Sequence, residues 1–295
     1  MAAPDTTVAQ RPPWAQEVVD VVRALSGGML FGIPLLYTME TWRAGSTAAP
    51  SRLLLVLGIT IVPVLILNKT EGFRADPHVT WGEAVKDTVE AVALGIVSVA
   101  AVLFLLQEID LDTPLRDGLG KVVYESTPFS IGIALANHFL RRGRDEGDSD
   151  GDEDEDGDTQ ERGLDATLAD VGATVIGAFF VAFNIAPTDE VQMIAAGLPP
   201  GLLLCFVAAS LAISYCIVFE AGFSNEEQRH AQKGVLQRPL TETVASYLLA
   251  LAAAALMLFF FQRIGEGEPW SAALSYVVVL GLPAAIGGAA GRLVV

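Results

Sequence analysis

Residues 85–137 read VKDTVEAVALGIVSVAAVLFLLQEIDLDTPLRDGLGKVVYESTPFSIGIALAN, and residues 240–292 read LTETVASYLLALAAAALMLFFFQRIGEGEPWSAALSYVVVLGLPAAIGGAAGR; at a constant shift of 155 they agree at 16 of 53 positions without a gap. Chance alone, for two segments rich in Ala, Leu and Val, gives roughly a tenth to an eighth. The agreement includes positions that are not apolar filler: Thr88 on Thr243, Gln107 on Gln262, Pro114 on Pro269, Pro128 on Pro283 and Gly132 on Gly287. Upstream, a shift of 150 pairs Gly27 with Gly177, Thr38 with Thr188, Glu40 with Glu190, Gly72 with Gly222 and Phe73 with Phe223. The five-residue difference falls in the polar stretch from Ser224 to Arg238, where a loop lengthens at little cost. The chain reads as one unit written twice.

Uncharged runs of the length that crosses a bilayer recur eight times: Val19 to Met39, Leu53 to Asn68, Val85 to Leu106, Lys121 to Leu140, Asp170 to Pro187, Leu198 to Phe219, Glu242 to Phe261 and Ser271 to Leu293. Only helices satisfy their own backbone groups in lipid, so the fold class is all-α, an eight-helix transmembrane bundle of two four-helix repeats. Glu125 interrupts the fourth run, and its aligned copy, Ser271 to Leu293, supports it. Four is even, so the second repeat enters from the same side as the first. The repeats are then parallel, with a pseudo-two-fold axis along the membrane normal and a seam between them as the default ligand site.

Thirteen Lys and Arg fall on the side of the N-terminus, the even-numbered loops and the C-terminus, against five on the other. That asymmetry puts both termini in the cytoplasm of a multi-pass cell-membrane protein. Domain boundaries follow: a cytoplasmic tail over 1–18, repeats over 19–140 and 170–295, and an acidic, disordered linker over 141–169. Eleven acids lie between Asp145 and Glu161, a run whose self-repulsion prevents collapse. Acid excess, 35 against 18 basic residues, with only 4 Lys, suggests a cytoplasm of very high salt, where screening removes the need for a basic partner. Cys205 and Cys216 lie about 16 Å apart along one helix by its 1.5 Å rise, too far for a disulfide.

Carboxylates at span ends are the candidate functional groups, because each is costly in a bilayer. Glu40, Glu190 and Glu125 fall on the outer side; Glu71, Asp87, Glu220 and Glu242 fall on the inner side, with Thr88 and Thr243 following two of them. Glu83, Asp87 and Glu90 share one helical face at spacing i, i+4, i+7. Such oxygens suit hard cations, and acidic rings at pore mouths favour them, although the helix dipole alone also accounts for acids in a first turn. Pro128 and Pro283, each followed three residues later by Ile-Gly, mark a kink or hinge. Gly28 with Gly32, and Gly287 with Gly291, fit the small-residue pattern of close helix contact.

Several classes drop out. No Lys follows Lys233, which excludes a retinal Schiff base in the final spans; His78, His138 and His230 lack metalloprotease spacing, and neither a phosphate-binding glycine loop nor a zinc pattern is present. No catalytic constellation stands out, so an enzyme is not expected, nor a cofactor or a nucleic-acid partner; the metal, if any, is unknown. The leading expectation is a cation channel or transporter in the lipid bilayer, taking inorganic cations and able to form homo-oligomers. The alternative is a non-transporting scaffold or sensor acting through its acidic linker.

Two stretches resemble a known family. Residues 34–42, PLLYTMETW, and 68–74, NKTEGFR, are similar to the signatures of an uncharacterised family of prokaryotic multi-pass integral membrane proteins, a domain of unknown function. The resemblance implies a membrane fold and no known activity. In the second repeat only Thr188 and Glu190 of the first motif remain, and Asn184 stands where the first has Pro34.

Overall fold

The structure, a computed structural model, describes residues 13–70, 80–147, 159–220, 239–265 and 267–293, and no strand occurs among them. The N-terminal half comprises α1 (Pro13–Leu36), α2 (Met39–Thr47), α3 (Pro50–Thr70), α4 (Trp81–Leu105) and α5 (Leu115–Gly147). The C-terminal half comprises α6 (Thr159–Ile185), α7 (Glu190–Gly197), α8 (Pro200–Tyr215) with a π-helical turn at Cys216–Glu220, α9 (Pro239–Phe260) and α10 (Trp270–Arg292).

Each of the eight expected runs coincides with a long helix, but two short helices, α2 and α7, were not expected. They are too brief to carry a hydropathy signal, and α7 departs from α6 at 88°. Six helices, α1, α3, α4, α8, α9 and α10, are long and apolar enough to cross a membrane, seven if the bent α6–α7 pair counts as one span. α5 falls outside that set because its composition is mixed. α5 packs against α1, α2, α3 and α4, as α10 packs against α6, α7, α8 and α9. α1 starts at Pro13, and helix extends to Gly147 and resumes at Thr159, within the segments read as tail and linker.

Local chemistry sets the helix ends. Thr80 caps α4 in a capping box with Glu83, and Pro200 sits at the start of α8, where a missing N–H costs nothing. α4 and α9 both end in a left-handed residue, Gln107 at φ 59° and Gln262 at φ 57°. Around them Glu108 N donates to Leu103 O and Gln107 N to Phe104 O, and Arg263 N to Leu258 O and Gln262 N to Phe259 O, the Schellman pattern in both cases. Pro128 and Pro283 lie inside α5 and α10, and both helices continue through them.

One close helix crossing also recurs. A Cβ on Gly27 would lie 2.6 Å from the carbonyl oxygen of Gly132, and a Cβ on Gly287 would lie 2.5 Å from that of Gly177. α1 thus touches α5 backbone to backbone, and α6 touches α10 in the same way. Outside these contacts the surface is apolar: Leu54, Leu55, Ile59 and Val62 on α3, Ile176 and Phe180 on α6, and Phe259 and Phe260 on α9 are all exposed. Exposed apolar area on this scale requires lipid rather than water.

One apolar core runs through both halves and fills the seam, with Ile33, Leu36 and Tyr37 of the N-terminal half beside Phe206, Ile217 and Phe219 of the C-terminal half. The seam is built mainly by α1 against α10 and the π-helical turn, with a smaller contact of α4 on α8. A closed two-fold would pair α6 equally with α3 and α5, and no contact of that extent is present among the described residues. Tyr37 OH crosses the seam to donate to Val279 O at 2.8 Å.

Candidate functional site

The acids expected to act as pairs take different positions. Glu40 is exposed, whereas Glu190 is 7% exposed, and its Oε1 accepts from Met39 N at 3.4 Å. Thr38, the N-cap of α2, makes no side-chain capping bond. A carboxylate from the C-terminal half therefore satisfies the positive end of a helix in the N-terminal half. The same bond places the α1–α2 and α6–α7 breaks at one level. Nearby, Arg263 Nη1 donates to Asp189 Oδ1 at 2.6 Å and Nη2 to Pro187 O, fastening the α9–α10 loop to the second break.

At the other end of the helices, Asp87 and Thr88 are buried near the start of α4. Thr88 Oγ1 donates to Ala84 O at 2.7 Å and accepts from Asn68 Nδ2 at 3.2 Å, which joins α3 to α4. The aligned Thr243 makes the equivalent bond, to Pro239 O at 2.7 Å. Glu83 is exposed and serves the capping box, so the face shared by Glu83, Asp87 and Glu90 does not act as one ligand set. The pattern Thr-x-x-Glu at 80–83 was a legible sign of this.

Glu242 pairs with Arg292, a residue the sequence marked only as a cytoplasmic charge. The Arg292 side chain is 1% exposed. Its Nη2 meets Glu242 Oε1, its Nε lies 3.9 Å from Asp170 Oδ1, its Nη1 donates to Ser246 Oγ at 3.3 Å, and its guanidinium stands 5.6 Å from the centroid of the Phe219 ring. This guanidinium ties α10 to α6, α9 and the π-helical turn.

Glu125 is the most enclosed acid, 1% exposed on α5, and its Oε1 has no hydrogen-bond partner among the described residues. Lys121, one turn earlier, donates instead to Glu108 O at 2.9 Å and to Glu108 Oε2 at 3.3 Å. Phe129, one turn later, packs on Gly32, and Lys121 lies against Gly45. Glu125 is thus on the α5 face turned toward the α1–α2 break. In the loop before α5, the hydroxyl of Thr113 holds the exposed Asp110 carboxyl below its usual range.

The sequence reading missed a second polar layer. Thr60 on α3 and Thr127 on α5 are joined at 2.8 Å, and Ser98 and Ser130 are buried with no hydrogen-bond partner among the described residues. Small hydroxyls carry no charge signal and pass as helix filler. Glu71 and the side chain of Glu220 lie outside the described residues. No group of three or more His, Cys, Asp or Glu side chains that could hold a metal ion occurs among the described residues. Two surface grooves run along Val175, Phe179 and Phe183 and along Leu256, Phe260 and Ile264.

Six or seven helices able to span a bilayer among the described residues, wrapped in exposed apolar side chains and with no strand among those residues, define a multi-pass integral membrane protein. Residues 20–295 match the family described as "Putative integral membrane protein (DUF2391)", and the chain belongs to it. No curated protein and no solved structure matches the chain.

Proposed function

We propose that this protein is a cation channel or carrier made of two four-helix units inserted in the same direction, eight crossings in all. The doubled arrangement is supported by features that return at the alignment shifts: left-handed Gln107 and Gln262, the Gly27–Gly132 and Gly177–Gly287 crossings, and the Thr88 and Thr243 backbone bonds. α5 then forms the eighth crossing, kept from lipid by its neighbours. The excess of Lys and Arg puts both termini in the cytoplasm.

The observation that carries the function is Glu125, a carboxylate enclosed within the helical bundle with an unpartnered oxygen and its nearest lysine in sequence engaged elsewhere. An ionisable group inside a membrane protein is costly enough to mark a pathway. Asp87 supplies a second acid toward the opposite end. No catalytic step is assigned.

The test is flux of Na⁺, K⁺, Ca²⁺ and H⁺ in liposomes containing the purified protein. Glu125→Gln and Asp87→Asn are expected to reduce flux many-fold while the protein stays folded. Absence of flux for every cation overturns the class, and flux indifferent to both substitutions overturns the site.

A further inference from the structure

Buried hydroxyls in helices normally bond to a carbonyl one turn back, and Thr60, Thr88, Ser210 and Thr243 do so here, to Val56, Ala84, Phe206 and Pro239. Ser98 Oγ, Ser130 Oγ and Asn68 Oδ1 do not, although their residues are 4%, 0% and 0% exposed. An oxygen buried without a bond costs about 1–3 kcal/mol, and native proteins settle that cost with an ordered water or an ion. Ser98 and Ser130 share one level of the bundle: the Ser130 hydroxyl and backbone lie against Gly95 of α4 and Ser98 follows Gly95 by one turn, whereas Asn68 joins α3 to α4 through Thr88, nearer the start of α4.

The C-terminal half is the internal control. At the positions aligned with Asn68, Ser98 and Ser130 it carries Val218, Ala253 and Ala285, all buried. The same helix arrangement is therefore built without these oxygens, so packing does not require them. Ser214, buried there with no hydrogen-bond partner among the described residues, aligns instead with Val64, and the buried Tyr247 aligns with Val92. In the N-terminal half Val64 and Val92, with Ala91 and Ala134, form an apolar cluster of their own. By helical rise Ser98 stands about 15 Å from Thr88, and Ala91 and Val92 fall between them. Polar layers separated by an apolar one match a path interrupted by a dewetting constriction.

We infer that the interior between α4 and α5 is a hydrated cation site lined by Ser98 and Ser130, whereas the aligned positions in the C-terminal half are closed by apolar side chains. The identity of the ion rests on the function proposed above; the presence of water does not.

Cysteine accessibility separates the two. In full-length protein in liposomes, with the native thiols removed by Cys205→Ala and Cys216→Ala, the substitutions Ser98→Cys, Ser130→Cys, Ala253→Cys and Ala285→Cys are each exposed to a charged, membrane-impermeant methanethiosulfonate reagent. A hydrated interior favours the thiolate, so Ser98→Cys and Ser130→Cys are expected to react at least about tenfold faster than the two alanine positions, the effect of one unit in thiol pKa. Two independent serine positions guard against one variant failing to fold. Equal inertness at all four positions in folded protein overturns the hydrated interior, even if cations cross. Fast labelling of the serine positions in a protein that passes no cation supports the interior and overturns the transport reading.

Discussion

Arg292 shows what one side chain does that hydropathy cannot report. A buried guanidinium is tolerated because Glu242 and Asp170 lie beside it and Ser246 accepts a hydrogen bond from it. Removing only the cation leaves two carboxylates facing a low-dielectric interior, so Arg292→Met is expected to destabilise the protein by roughly 3 kcal/mol, read as thermal unfolding in detergent. Adding Glu242→Gln to that variant is expected to recover a large part of the loss; no recovery would show that the pair is not coupled. The sequence made Glu242 visible as an acid opening a span, but not its partner, because nothing local says that the end of α10 falls against α6 and α9. Glu190 teaches the same lesson. Its carboxyl was legible, whereas its bond to Met39 N depends on a seam between residues 151 positions apart.

At the scale of elements, the six or seven helices able to cross a membrane were legible because a bilayer-length apolar run is a strong signal, while α5 lies outside that set and was read only through its apolar copy. The short helices α2 and α7 were not legible. The glycine pairs did mark close contacts: Gly28 and Gly32 receive side chains of Ile133 and Phe129, Gly287 and Gly291 meet the backbone of Gly177 and Ala173, and Gly27, one residue from the marked pair, meets that of Gly132. A carbonyl oxygen in a helix cannot move aside, so Gly132→Ala and Gly287→Ala are each expected to cost about 1–3 kcal/mol. Gly58→Ala, with nothing within 4 Å of the added carbon, is the contrast: it is expected to be neutral or to stabilise α3 by up to about 1 kcal/mol. The helix ends give an independent check. Gln262 holds a left-handed conformation that a β-branched residue resists, so Gln262→Val is expected to lower stability by about 1 kcal/mol or more, and an unchanged unfolding midpoint would count against the turn as drawn.

For the whole molecule, the two halves meet in a medium that gives no hydrophobic push between helices, so their union depends on close packing and on a few directed bonds. Tyr37 OH to Val279 O and Glu190 to Met39 N are two such bonds, and both link a break in one half to the other half. Cleaving the chain at a protease site placed within 148–158 is therefore expected to leave the halves co-migrating in mild detergent, with Tyr37→Phe and Glu190→Gln together promoting their separation. The proposed direction of insertion is tested through the same bonds. If the breaks after α1 and after α6 lie at one membrane face, the chain between them crosses the bilayer an even number of times. Reporters fused to the N-terminus, inserted within 148–158 and fused to the C-terminus are then all expected on the cytoplasmic side, where the Lys and Arg excess also puts them. A reporter within 148–158 that reads on the opposite side from the N-terminal one would require an odd number of crossings before α6. The two units would then face opposite ways, and the correspondence of Asn68, Ser98 and Ser130 with Val218, Ala253 and Ala285 would compare unlike depths of the bilayer.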